Sequence, residues 1–262
     1  MEMNGRELTK ANEKIIIALD VASREKALSL VEQLPEVRWF KVGLELFTAC
    51  GPSLLASIRE QGRLIFLDLK LHDIPNTVAG AVRVAVRHGA SMLTVHAAGG
   101  KEMLLQARQA ADEEAARLNL TSPKIVAVTV LTSLNNQQLR ELGWLDGVEV
   151  QVLRLASLAK DCGLAGSVCS PREISLLRKN LGENWLIITP GIRPAWAPAQ
   201  DQQRILSPAE ALSLGADFLV IGRPIIANES PREAFWRLLA ELETRRYASD
   251  RKNRSQNEPE ND

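Results

Sequence analysis

Short apolar runs and amphipathic segments alternate along the chain. The runs are Ile15–Leu19, Trp39–Val42, Leu64–Leu69, Met92–Val95, Ile125–Val130, Ala165–Val168, Trp185–Ile188 and Phe218–Ile221. Each has strand length and little polar interruption, the pattern of a strand buried on both faces. Between them apolar residues recur at helical spacing, as in Ala27, Leu28, Val31 and Leu34, or Val78, Val82 and Val86. Strands alternating with helices predict a parallel sheet with helical crossovers, so the fold class is α/β. Eight such units in a chain of 262 residues suit a single-domain closed (β/α)8 barrel of the TIM type, usually about 250 residues. An open doubly wound sheet has the same strand count and stays open as an alternative.

Three later helices carry the same start signal: Ser170-Pro-Arg-Glu173, Ser207-Pro-Ala-Glu210 and Ser230-Pro-Arg-Glu233. Each supplies an N-cap serine, a proline at the first helical position and a glutamate at the third. The long connection Leu131–Gly163 predicts a short helix over Gln137–Leu142 and a longer one over Val150–Asp161. Phe235, Leu238, Leu239 and Leu242 form the apolar stripe of a final helix. This gives an N-terminal extension (1–13), a barrel (14–247) and a polar tail (248–262). After Ala248 the tail has no apolar residue except Pro259 and is read as disordered.

Composition narrows the partners. Lys plus Arg and Asp plus Glu balance at 32 each, so no global charge points to nucleic acid. No run of about 18 apolar residues could span a membrane, and Met1–Lys14 is too polar for a signal peptide. Cys50, Cys162 and Cys169 are widely spaced, which suits reduced thiols in a cytoplasm.

Chemistry concentrates in Leu64-Ile-Phe-Leu-Asp-Leu-Lys-Leu-His-Asp-Ile-Pro-Asn-Thr77. By strand alternation Phe66, Asp68 and Lys70 share one face, and Ile65, Leu67 and Leu69 the other. Charges on such a strand are costly unless they satisfy each other or a ligand. They form either a structural ion pair at a sheet edge or a fixed Asp-Lys-Asp array aimed at a reacting group. Barrel chemistry gathers at the C-terminal ends of strands. The other runs bring Asp20, Lys41, His96, Thr132 with Ser133, Thr189-Pro-Gly-Ile-Arg193, and Gly222-Arg223 to that rim. Together these favour the reactive array and a small anionic substrate. Gly222 permits close backbone approach and Arg223 can donate two N–H groups, in a loop where such barrels commonly hold phosphate. Arg193 and Gln202 flank the aperiodic loop Pro194–Gln203, read as a lid. His72, His88 and His96 show no metal-ligand spacing.

The decapeptide Asp68-Leu-Lys-Leu-His-Asp-Ile-Pro-Asn-Thr77 resembles the signature of the orotidine 5′-phosphate decarboxylase family, in its bacterial form. Ala18-Leu-Asp20, Lys41-Val-Gly43, Val130-Leu-Thr-Ser133, Thr189-Pro-Gly-Ile-Arg193, Asp201-Gln202 and Val220-Ile-Gly-Arg223 stand in family order. The resemblance implies decarboxylation of orotidine 5′-monophosphate (OMP) at C6 to give UMP, the last step of de novo pyrimidine nucleotide synthesis, with no cofactor and no metal. It implies catalytic roles for Lys70, Asp68, Asp73 and Lys41, as an alternating Lys-Asp-Lys-Asp network. Asp20 and Lys41 would bind ribose hydroxyls, and Thr132 and Ser133 would lie by the pyrimidine. Gln202, Gly222 and Arg223 would take the phosphate, with Arg193 among the binding residues. In the implied homodimer, Asp73 and Thr77 would enter the partner's site. Lys70 would stabilise and protonate the C6 carbanion, its ammonium form favoured by the flanking carboxylates.

Two alternatives differ in class. Sugar-phosphate decarboxylases and aldolases related to 3-keto-L-gulonate 6-phosphate decarboxylase share Asp-x-Lys-x-x-Asp and use it to hold Mg²⁺. Their second strand presents a glutamate where this chain has Lys41, and a lysine repels a divalent ion. A barrel that merely binds a nucleotide would be marked by loss of Lys70 or Asp68, and both are present.

Overall fold

The structure is a computed structural model that describes residues 11–197 and 206–255, with side chains to residue 243. Eight strands close into a parallel barrel in chain order: β1 (Ile15–Ala18), β2 (Trp39–Gly43), β3 (Leu64–Leu71), β4 (Met92–His96), β5 (Lys124–Val128), β6 (Gly166–Val168), β7 (Leu186–Thr189) and β8 (Phe218–Ile221). The closing seam sets Ile15 beside Leu219 and Ile17 beside Ile221, which excludes the open sheet. Alternate strand residues face two apolar spaces. Ile16, Trp39, Phe66, Met92, Val126, Ile188 and Val220 fill the barrel interior, while Ile17, Phe40, Ile65, Leu93 and Leu219 face the helices. With both faces covered, no polar alternation survives, and the strands read as continuous apolar runs.

Helix α1 (Arg24–Gln33) follows β1, and α2 (Leu44–Cys50) and α3 (Ser53–Glu60) follow β2. Then come α4 (Pro75–Arg87), α5 (Gly100–Arg117), α6 (Asn136–Glu141), α7 (Val148–Asp161), α8 (Ile174–Leu181), α9 (Pro208–Ser213), α10 (Arg223–Ile226) and α11 (Pro231–Ser255). None of the described helices is long and apolar enough to cross a membrane. The Ser207–Glu210 box caps α9 as expected, Ser207 N–H donating to the Glu210 carboxylate at 2.9 Å. The Ser170–Glu173 box closes around a 3-10 turn, Pro171–Glu173, and α8 proper starts at Ile174.

The last helix departs from the sequence reading. It runs to Ser255, past residue 247 and into the stretch expected to be disordered. Phe235, Leu238, Leu239 and Leu242 anchor it in the core. Ala248, Arg251, Lys252 and Arg254 are good helix formers, so an anchored helix propagates past its last apolar residue. Residues 1–10, 198–205 and 256–262 lie outside the described residues, and with them most of the extension, Gln202 and the expected lid from residue 198 to its end.

The N-terminal end of the barrel carries stability. Arg178 of α8 donates to the carbonyls of Gly182 at 2.8 Å, Trp185 at 3.0 Å and Gly215 at 3.2 Å, and pairs with Asp217 at 2.7 Å. One guanidinium thus ties together the two turns that lead into β7 and β8. On the flank, Glu114 of α5 is almost fully buried between Arg117 and Arg87, each at 2.6 Å. Hydrogen bonds from Arg117 and then Arg87 lower its carboxyl from 4.5 to about 2.

Candidate active site

A cavity of about 300 Å³ opens at the C-terminal rim of the barrel, within the size range of small-ligand sites. Its charged lining is Asp20, Lys41, Asp68, Lys70, Arg193 and Arg223. Four cations against two carboxylates favour a ligand with more than one negative charge.

The site is built from paired charges on neighbouring strands. Asp20 leaves the end of β1, and its Oδ1 stands 2.9 Å from Nζ of Lys41 on β2. Gly43 makes that geometry possible. A Cβ at residue 43 would sit 3.0 Å from Lys41 Nζ, closer than ordinary van der Waals contact. Gly43 is in register with Asp68 of β3, so the two charge pairs adjoin. Asp68 Oδ2 accepts from Lys70 Nζ at 2.8 Å.

Lys70 reaches this position through an irregular backbone. Leu67 pairs with Leu93, but the next pairing is Leu71 with Val95, so β3 spends extra residues against β4 there. Within this bulge Lys70 has φ 51°, the left-handed region that side chains avoid at a cost of about 1–2 kcal/mol. Plain strand alternation, as read from the sequence, therefore gives the right face for Asp68 and Lys70 by the wrong route. The Lys70 N–H turns out of the ladder and donates to Thr94 Oγ1 at 2.8 Å. That hydroxyl lies 3.1 Å from Asp68 Oδ1.

Phe66, Val128, Val168, Val220 and Ala18 give the cavity an apolar wall beneath these charges. Low polarity there strengthens the charge interactions above it. Pro190, Gly191, Arg193, Gly222 and Arg223 line the side formed by the loops after β7 and β8. A Cβ at Gly222 would meet Asp20 Oδ2 at 3.3 Å, so the glycine leaves clearance for that carboxylate.

The remaining sequence candidates divide. Thr132 lines the cavity. Ser133 is exposed in the turn after β5 and is not part of the lining. Asp73 and Thr77 are exposed, beyond β3 and in the first turn of α4, and neither lines the cavity of its own chain. Asp73 Oδ1 accepts from the Ile74 N–H at 2.6 Å, and the Ile74 side chain is 67% exposed. His96 stacks on His72 with ring centroids 5.2 Å apart. Burial, with His72 and Lys70 adding, holds its imidazole below the ordinary histidine value. Among the described residues, no group of three or more His, Cys, Asp or Glu side chains could hold a metal ion. Thr94 had no part in the sequence reading, and Gly43 entered it only as the last residue of Lys41-Val-Gly43, with no role of its own. Thr94 was nonetheless discernible as a hydroxyl on the inward face of an apolar strand, in step with Met92 and His96.

Fold and rim define a (β/α)8 barrel with a charged, anion-accepting site at the C-terminal ends of its strands. The chain matches the model of the orotidine 5′-phosphate decarboxylase / HUMPS family over residues 13–238, and it belongs to that family. An orotidine 5′-phosphate decarboxylase of Syntrophomonas wolfei is 50% identical over 237 residues, covering 89% of this chain and 99% of the relative. One from Moorella thermoacetica is 53% identical over 235 residues, covering 89% and 93%. The crystal structure of orotidine 5′-phosphate decarboxylase from Lactobacillus acidophilus superposes with a TM-score of 0.78 at 36% identity, covering 88% of this chain and 99% of that one.

Proposed function

We propose that the protein converts OMP to UMP and CO₂ in pyrimidine nucleotide synthesis, without metal or organic cofactor. The observation that carries this reading is the Lys70–Asp68 pair, 2.8 Å apart, set in a cavity whose other side is lined by Gly222 and Arg223. The phosphate is held at Arg223, Gly222 and Gln202, with Arg193 beside it, and the ribose hydroxyls at Asp20 and Lys41. Thr132 lies by the pyrimidine, with Ser133 next to it in the turn. The C6 carboxylate then faces Asp68 and Lys70.

The C6–CO₂ bond breaks with its electron pair left on C6, and CO₂ departs. No carbonyl or imine is placed to absorb the pair, so the site must stabilise it directly. The Lys70 ammonium, fixed beforehand by Asp68, supplies the positive charge beside C6 and then delivers a proton to it. Solvent reprotonates the lysine after UMP leaves. Lys41, Asp68, Lys70 and Asp73 alternate in sign, so each charge has opposite neighbours throughout.

The active unit is a two-fold dimer in which each subunit lends Asp73 and Thr77 to the other's site. Exposure of both residues, with the apolar Ile74 between them, supports that reading. Lys41 argues against the Mg²⁺-dependent sugar-phosphate chemistry, because its ammonium occupies the position where a metal would need a carboxylate. Purified protein incubated with OMP in EDTA should deplete OMP and accumulate UMP. No turnover, or turnover that appears only with added Mg²⁺, would overturn the proposal.

A further inference from the structure

We infer that Thr94 is a positioning residue for the reaction, acting through both Asp68 and Lys70; the inference rests on the OMP decarboxylase reading. Thr94 is fully buried on β4. Its hydroxyl has one hydrogen to give and lone pairs to accept with. The Lys70 N–H can only donate, so Thr94 Oγ1 accepts from it at 2.8 Å. The hydroxyl proton is therefore left for Asp68 Oδ1 at 3.1 Å. Asp68 Oδ2 in turn takes a hydrogen bond from Lys70 Nζ at 2.8 Å. The result is a closed circuit: Lys70 backbone, Thr94 hydroxyl, Asp68 carboxylate, Lys70 ammonium.

Each link has a distinct task. The bulge in β3 removes the part-buried Lys70 N–H from the ladder, and away from the ladder it needs another partner. Thr94 supplies that partner, and so holds Lys70 at φ 51°. The same hydroxyl fixes one oxygen of Asp68, which sets the direction in which the other presents to the ammonium. A threonine suits the post because branching at Cβ restricts its χ1 and so aims the hydroxyl. Thr94 touches no reacting atom in this scheme. It determines where the two groups that do so are held.

The test compares Thr94→Val, which keeps the shape and loses the hydroxyl, with Thr94→Ser, which keeps the hydroxyl. Kinetics with OMP, UMP binding, thermal melting and amide exchange at Lys70 are measured for each. Thr94→Val should lower kcat about 100-fold, the scale of a misplaced catalytic group, with UMP affinity held within about threefold. Thr94→Ser should recover most of kcat. The Lys70 amide should be protected in wild type and Thr94→Ser and exchange freely in Thr94→Val. If Thr94→Val folds poorly, Thr94→Ala must give the same ordering of kcat and amide protection. Wild-type kcat in Thr94→Val, or parallel loss of kcat, UMP binding and melting temperature with a protected Lys70 amide, would overturn the inference. If wild type itself leaves OMP untouched, the functional reading fails, and amide exchange alone still decides whether Thr94 holds Lys70.

Discussion

Gly43 faces Lys41 so closely that a Cβ on residue 43 would stand 3.0 Å from the lysine nitrogen. The glycine has φ −96°, which alanine adopts without strain, so Gly43→Ala perturbs clearance and leaves the backbone alone. It should displace Lys41 from Asp20 and lower kcat/KM for OMP about tenfold, or about 1.4 kcal/mol. The melting temperature should hold, since no core contact is lost. Steady-state kinetics beside a thermal melt checks both. Unchanged kcat/KM would show that Lys41 can shift without consequence.

Arg223 is the proposed phosphate ligand, and its removal should be felt at the reacting carbon. Binding energy from a remote group helps to position the substrate for reaction. Arg223→Ala should cost about 3 kcal/mol in kcat/KM, roughly two orders of magnitude. A variant with wild-type kcat/KM for OMP would remove the phosphate from this loop.

The proposed shared-site dimer makes a prediction about mixtures. Lys70→Ala and Asp73→Ala should each be nearly inactive. After random subunit exchange half the dimers are mixed, and each mixed dimer regains one complete site. Activity should return to roughly a quarter of wild type. Native mass spectrometry reports the exchange independently. Mixed dimers that stay inactive would assign Asp73 to its own chain.

Glu114 gives a pH-dependent contribution to stability. Its carboxyl is lowered from 4.5 to about 2 by Arg117 and Arg87, so the folded state holds the charged form more strongly than the unfolded chain does. The stabilisation is fully present above the ordinary carboxyl value and is lost as pH falls from about 4.5 toward 2. Glu114→Gln should be less stable than wild type at neutral pH, and the gap should narrow across that acid window. Denaturant melts at several pH values measure it, and a gap independent of pH would contradict the assignment.

Much of this was legible in the chain. The eight apolar runs gave the strands because each strand is buried on two sides, and reading the strand ends gave Asp20, Lys41, Asp68, Lys70 and Arg223. The details that escaped depend on neighbours. The bulge at Lys70 is a mismatch between β3 and β4, and no property of β3 alone reveals it. Thr94 matters because that mismatch aims a backbone N–H at it. Gly43 stood in the sequence only as the last residue of Lys41-Val-Gly43, and its clearance for the Lys41 ammonium shows only in three dimensions. Asp73 carried its motif plainly, yet on the single chain it is exposed and does not line the cavity.

The seam between β1 and β8 has a consequence for synthesis. Ile15 and Ile17 are among the first described residues to leave the ribosome, yet their partners Leu219 and Ile221 are among the last. At roughly 5–20 residues per second, the exposed edge of β1 waits on the order of ten seconds or more for closure. During that interval the nascent sheet has an unpaired apolar border, and this is when a chaperone would have most to protect. Slowing translation ahead of Phe218 should lengthen the exposure and lower the yield of folded protein, with no change to the enzyme that finally forms.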